Sequence, residues 1–289
     1  MTTAADRPGL VERAIRRDRL IVVSALGVVI GLAWFWIFSG AGTGMNAWDM
    51  SRFALFPHVS GAAMFGGVVP DAGMSGMAPA SGWTLRYFAT VTLMWWVMMA
   101  AMMLPAAAPM VLLHARTLRH ARRQGRVTTE PAPTIWFVLG YLAVWLGFSC
   151  LAAGLQYTLA RAGLISAMMM WSESRWLSAG LLALAAAFQF SPLKRACLSA
   201  CRSPVQFLSE RWRAGRIGAA RMGIAHGTFC LGCCWALMLL LFVGGAMNLV
   251  WIAALGGLAL TERLAPRGHQ TVWGSGIVLA VWAAATLLV

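Results

Sequence analysis

Long apolar runs separated by short arginine-rich pieces constrain this chain more than any other feature. Seven such runs cover residues 20–38, 85–113, 135–159, 176–190, 222–243, 247–260 and 271–288. A helix needs about 20 apolar residues to cross a hydrocarbon core of about 30 Å. The runs at 176–190 and 247–260 are short for that purpose. Only 11% of the residues are charged, against about 25% in an ordinary soluble domain, and the mean hydropathy is +0.71. These features predict an all-α, polytopic membrane helix bundle of about seven transmembrane helices.

The charges orient the bundle. With a cytoplasmic N-terminus, all of the 23 basic residues except Arg52, Arg86, Arg161 and Arg175 fall on the cytoplasmic side, as the positive-inside rule requires. The expectation is a multi-pass protein of the cell (inner) membrane with the C-terminus outside. Residues 1–19 form a cytoplasmic basic segment, 20–289 the helical domain and 39–84 an external loop. Basic residues before the first run also fit a signal sequence, but the run is long for one, and an uncleaved helix is expected. The net charge of +14 has no nucleic-acid-binding motif beside it, so lipid is the expected partner.

The fifth run contains His226-Gly-Thr-Phe-Cys230-Leu-Gly-Cys233-Cys234. On a helix turning about 100° per residue, Met222, His226, Cys230 and Cys233 share one stripe, with Cys234 on its flank. Polar groups at membrane depth face the bundle interior, and Gly223 and Gly227 invite a neighbouring helix to approach. Imidazole and thiolate bind soft or borderline metals. His226, Cys230, Cys233 and Cys234 are therefore candidate ligands, with Met222 as a candidate support. Packing as a small hydrophobe is the plain alternative for each cysteine.

In the second run, Met94, Met98 and Met102 share a face, and Met99 and Met103 form the adjacent row. Met98 and Met102 are candidate thioether ligands, since thioethers favour Cu(I) over Zn(II); methionine is also a pliant packing residue. Pro105 and Pro109 are sites for a kink. Cys197 and Cys201, four apart, form a candidate cytoplasmic exchange site or a pair of ordinary reduced thiols. Glu262 either orients His226 from behind or pairs with Arg263 or Arg267. The external loop carries Met45, Met50, His58, Met64, Met74 and Met77, which suit copper capture or nothing special.

Met94-Trp-Trp-Val-Met-Met-Ala-Ala-Met-Met-Leu-Pro105, the Ser191-Pro-Leu-Lys…Cys197…Cys201-Arg-Ser-Pro204 segment, and His226-Gly…Cys230-Leu-Gly-Cys233-Cys234-Trp-Ala-Leu-Met238 through Asn248 together resemble a bacterial family. It is the family of predicted metal-binding integral membrane proteins, a domain of unknown function, and the similarity covers about residues 84–263. The resemblance implies metal binding and membrane location.

The expected ligand is a soft metal ion, with Cu(I) favoured and Zn(II) open. The expected role is transport, delivery or metalloenzyme assembly, with a metal donor or acceptor protein as partner. No catalytic triad, carboxylate pair or phosphate loop is present. The enzymatic alternative is a thiol–disulfide or quinone-linked oxidoreductase using Cys230 and Cys233.

Overall fold

The computed structural model describes residues 10–41, 51, 83–124, 133–166, 170–266 and 268–289. Among the described residues every named element is a helix: α1 (Leu10–Phe38), α2 (Leu85–Arg123), α3 (Pro133–Arg161), α4 (Arg175–Gln189), α5 (Pro192–Arg202), α6 (Pro204–Arg211), α7 (Gly215–Leu239), α8 (Leu241–Gly244), α9 (Leu249–Leu264) and α10 (Gly268–Leu288). Most of the external loop, with Met45, Met50, His58, Met64, Met74 and Met77, lies outside the described residues, as does Arg267.

By length and composition, five stretches among the described residues are able to cross a membrane: Leu20–Phe38, Leu85–Ala121, Thr134–Arg161, Gly215–Gly244 and Gly268–Leu288. A sixth exists if α4 and α5, bent by 64° at their junction, count as one broken span. The bend follows from Phe190-Ser191-Pro192. Proline disfavours helix at the residue before it, and Ser191 starts a new helix by accepting the Lys194 amide on its hydroxyl at 3.0 Å.

The run at 247–260 becomes α9, whose 16 residues extend about 24 Å, short of a hydrocarbon core. Helix length alone thus carries five or six crossings rather than seven. The shortfall falls on the two runs already marked as short, whose polar ends turn inward. Two basic residues assigned to the cytoplasmic side, Lys194 and Arg263, are buried within the protein.

α7 is the centre of the bundle. Of its most apolar stretch 67% is buried, against 11% for α1. The outward faces of α1 and α10 present Val28, Leu32, Phe35, Ile277, Val278 and Val281, a surface compatible with lipid. α2 runs unbroken through Pro105 and Pro109. α3 and α7 pack backbone to backbone. A Cβ on Gly223 would collide with the Phe137 carbonyl, one on Gly140 with the Ala220 carbonyl, and one on Gly227 would meet Val144 at 3.0 Å. This is the close approach that small residues permit.

This contact yields a prediction. Gly223→Leu forces α3 and α7 apart and lowers stability in detergent by at least about 1–3 kcal/mol. Gly274→Ala, where nothing lies within 4 Å, leaves it unchanged. Thermal unfolding of the two purified variants makes the comparison.

Candidate metal centre

α3 sets the walls of the site. Phe137, Tyr141 and Trp145 recur every four residues, line one helix face and are fully buried. His226 of α7 is enclosed by this row. Its ring lies 5.8 Å from Tyr141, 6.0 Å from Phe137 and 5.5 Å from Phe207 of α6. Its Nδ1 is buried without a hydrogen-bond partner.

One turn on, the cysteines gather. The Tyr141 hydroxyl donates to the Met103 carbonyl at 3.1 Å and lies 2.8 Å from Cys230 Sγ. With the single hydroxyl proton directed at Met103, the Cys230 thiol is the donor to Tyr141. Cys233 and Cys234 each donate to the Cys230 carbonyl at 3.1 Å. Cys234 Sγ is 3.9 Å from Met103 Sδ. From α5, the Cys201 thiol reaches hydrogen-bonding contact with Cys233. Cys197 sits over Gly232, where a Cβ would come within 2.8 Å of its sulfur.

Arg263 enters this group from α9. Its Nη2 donates to the Cys230 carbonyl at 3.1 Å, to Cys233 Sγ at 3.1 Å and to Cys234 Sγ at 3.2 Å. Its Nη1 approaches Met103 Sδ at 3.8 Å. Arg263 is 6% exposed, and among the described residues its guanidinium contacts no carboxylate. Four elements thus meet at one buried point: Cys201 from α5, Cys230, Cys233 and Cys234 from α7, Met103 from α2 and Arg263 from α9. As placed, no group of three or more His, Cys, Asp or Glu side chains among the described residues closes on a common ion position. Cys233 and Cys234 form a pair instead, facing Arg263 and backed by a thioether.

Several expectations change here. Of Met98, Met102 and Met103, it is Met103 whose sulfur meets Cys234 Sγ and Arg263. All three are buried, but Met102 lies against Gly256 of α9. One residue moves a helical face by about 100°, and only the packing decides which row meets α7. Met222 is buried in a separate apolar cluster with Met110, Phe137 and Phe207, two turns before Cys230. Cys201 reaches Cys233 and so joins the central sulfurs, while Cys197 lies over Gly232 of α7. The Cys230 and Cys233 thiols are engaged with Tyr141 and Arg263 rather than with each other.

Glu262 does not orient His226, nor does it pair with Arg263. Its carboxylate takes Lys194 Nζ at 2.7 Å and the Gln189 amide at 2.8 Å. Adjacent residues of a helix point about 100° apart, so Glu262 faces α4 and α5 while Arg263 faces α7. Arg202, at the end of α5, donates to the Glu262 and Ala265 carbonyls at 3.1 and 2.7 Å, satisfying the C-terminus of α9. These bonds hold α5, and with it Cys201, against α9. Sequence reasoning missed Arg263 and Lys194 because a basic residue just past an apolar run reads as an interfacial charge. The short length of the 247–260 run was the available signal.

A family model described as PpoB2, copper chaperone, matches residues 92–286. The chain belongs to this family. The match spans α2 through α10 and contains every residue of the sulfur group. No curated protein matches the chain, and neither does any solved structure.

The buried ion pair is open to a double-mutant test. Lys194→Met leaves Glu262 buried without its partner and costs about 3–5 kcal/mol, whereas Lys194→Met combined with Glu262→Leu recovers most of the loss. Denaturation of the three proteins in one detergent measures the coupling.

Proposed function

We propose that this chain is a multi-pass membrane copper chaperone that binds Cu(I) at the sulfur group and passes it to an acceptor protein. The observation that carries the reading is the convergence of Cys201, Cys230, Cys233, Cys234 and Met103 at one buried point, in a member of a copper chaperone family. Cys233 and Cys234 are the principal ligands. Met103 is a weak third donor, and Cys201 is the sulfur that receives or releases the ion at Cys233.

The donor chemistry favours copper over zinc. Protein zinc sites are almost always four-coordinate, built from thiolate, imidazole and carboxylate. Here four thiols gather, but among the described residues no three of them close on one ion position; the pair Cys233 and Cys234 faces Arg263 with a thioether behind it, and the imidazole is held in an aromatic enclosure. Soft thiolate and thioether donors suit Cu(I), which accepts low coordination numbers. Passing the ion between Cys233 and Cys201 needs only exchange of one thiolate for another, the economy expected of a protein that must release its cargo.

Anaerobic Cu(I) titration of the purified full chain tests the assignment. The wild type is expected to hold about one Cu(I) per chain, and Cys233→Ser with Cys234→Ser to hold close to none. Equal copper in both ends the proposal. Cys201→Ser is expected to keep the stoichiometry and slow transfer to a chelator, read by stopped-flow absorbance.

On this reading the N-terminus is cytoplasmic and the C-terminus outside, with seven crossings, as the distribution of basic residues supports. α9 completes the count because a crossing enclosed by protein need not match the lipid thickness. A C-terminal alkaline phosphatase fusion is expected to be active in cells. An inactive fusion, with fluorescence from a C-terminal green fluorescent protein, would mean six crossings and an α9 that does not span.

A further inference from the structure

Arg263 is a full positive charge in the protein interior, and its side-chain partners are sulfur atoms, beside the Cys230 carbonyl. Arginine is not deprotonated in proteins. A buried charge without an opposite charge is costly, by several kcal/mol per ion even after relaxation. The neighbouring carboxylate would be the obvious remedy, but Glu262 turns away to Lys194 at 2.7 Å. Among the described residues, two cations, Lys194 and Arg263, are thus buried beside one carboxylate. Nη2 contacts both Cys233 Sγ and Cys234 Sγ, at 3.1 and 3.2 Å, so the negative charge that completes this site must develop on those two atoms.

We infer that Arg263 is the specificity-determining residue of the site: it selects a monovalent soft cation, bound as an anionic dithiolate, over a divalent one. The inference rests on the copper reading above. When Cu(I) binds, the two S–H bonds of Cys233 and Cys234 break, two S–Cu bonds form and two protons leave. The product carries one negative charge, from one cation and two thiolates, and Arg263 neutralises it across charge-assisted N–H···S contacts. The same two thiolates around Zn(II) make a neutral complex, and the Arg263 charge then stays uncompensated. The guanidinium thus favours the monovalent complex without being a ligand. Its position is set by the other side of the same helix end, where Lys194 and Gln189 grip Glu262 and Arg202 grips the last carbonyls.

The test uses the full chain in detergent, with Cu(I), Ag(I) and Zn(II) each titrated against a competing chelator. In Arg263→Gln the affinities for Cu(I) and Ag(I) are expected to fall by at least about tenfold, the loss of one charge-assisted contact, while Zn(II) binding holds or improves. Arg263→Lys, which keeps the charge, is expected to retain most of the discrimination. A purely structural role would weaken all three metals alike, and that result, or an unchanged ratio of Cu(I) to Zn(II) affinity, overturns the inference. Wild-type protein that binds no copper defeats the functional reading itself. Wild-type binding with an unaltered metal ratio in Arg263→Gln defeats only the role of Arg263.

Discussion

The interior of this protein is organised around a guanidinium that has sulfur for neighbours. Arg263 reaches the Cys230 carbonyl, Cys233, Cys234 and Met103 from a single helix end, so α9, α7 and α2 are held at one point. An unpartnered charge there would be among the costliest groups in the fold. The helices around it are arranged to limit that cost. Glu262, one residue away, faces the opposite direction and ties α9 to α5 through Lys194. The two contacts together set where α5 lies, and that placement brings Cys201 to Cys233.

The second constraint is the backbone contact between α3 and α7. Gly140 and Gly223 let the helices touch without intervening side chains. The aromatic row Phe137, Tyr141 and Trp145 then closes over the stripe of α7. Tyr141 is the link between wall and site, since its hydroxyl bonds both Cys230 and the Met103 carbonyl. The sulfur group is thus walled by aromatic rings on one side and a cation on the other, a dry, thiol-rich setting in keeping with the copper chaperone family to which the chain belongs.

Much of this was legible in the chain itself. The apolar runs marked the helices, and the spacing of Cys230, Cys233 and Cys234 placed them together on an inward stripe beside Gly223 and Gly227. The legible features are local: they depend on periodicity within one helix or on the small size of glycine. What the sequence left open lies between helices: which methionine row meets α7, where the Glu262 carboxylate points, and whether Cys201 reaches the sulfurs of α7.

By itself, then, the sequence determined the helical class, the order of the apolar segments and the presence of a soft-donor stripe on α7, because hydrophobic periodicity and side-chain chemistry are properties of the chain. The tertiary structure alone decided that Arg263 is an interior cation, that Met103 is the thioether at the sulfurs, and that Cys201 meets Cys233. The rotation and crossing of a helix are set by what packs against it. A change of one residue in register turns a side chain by about 100°, enough to exchange an interfacial charge for a buried one.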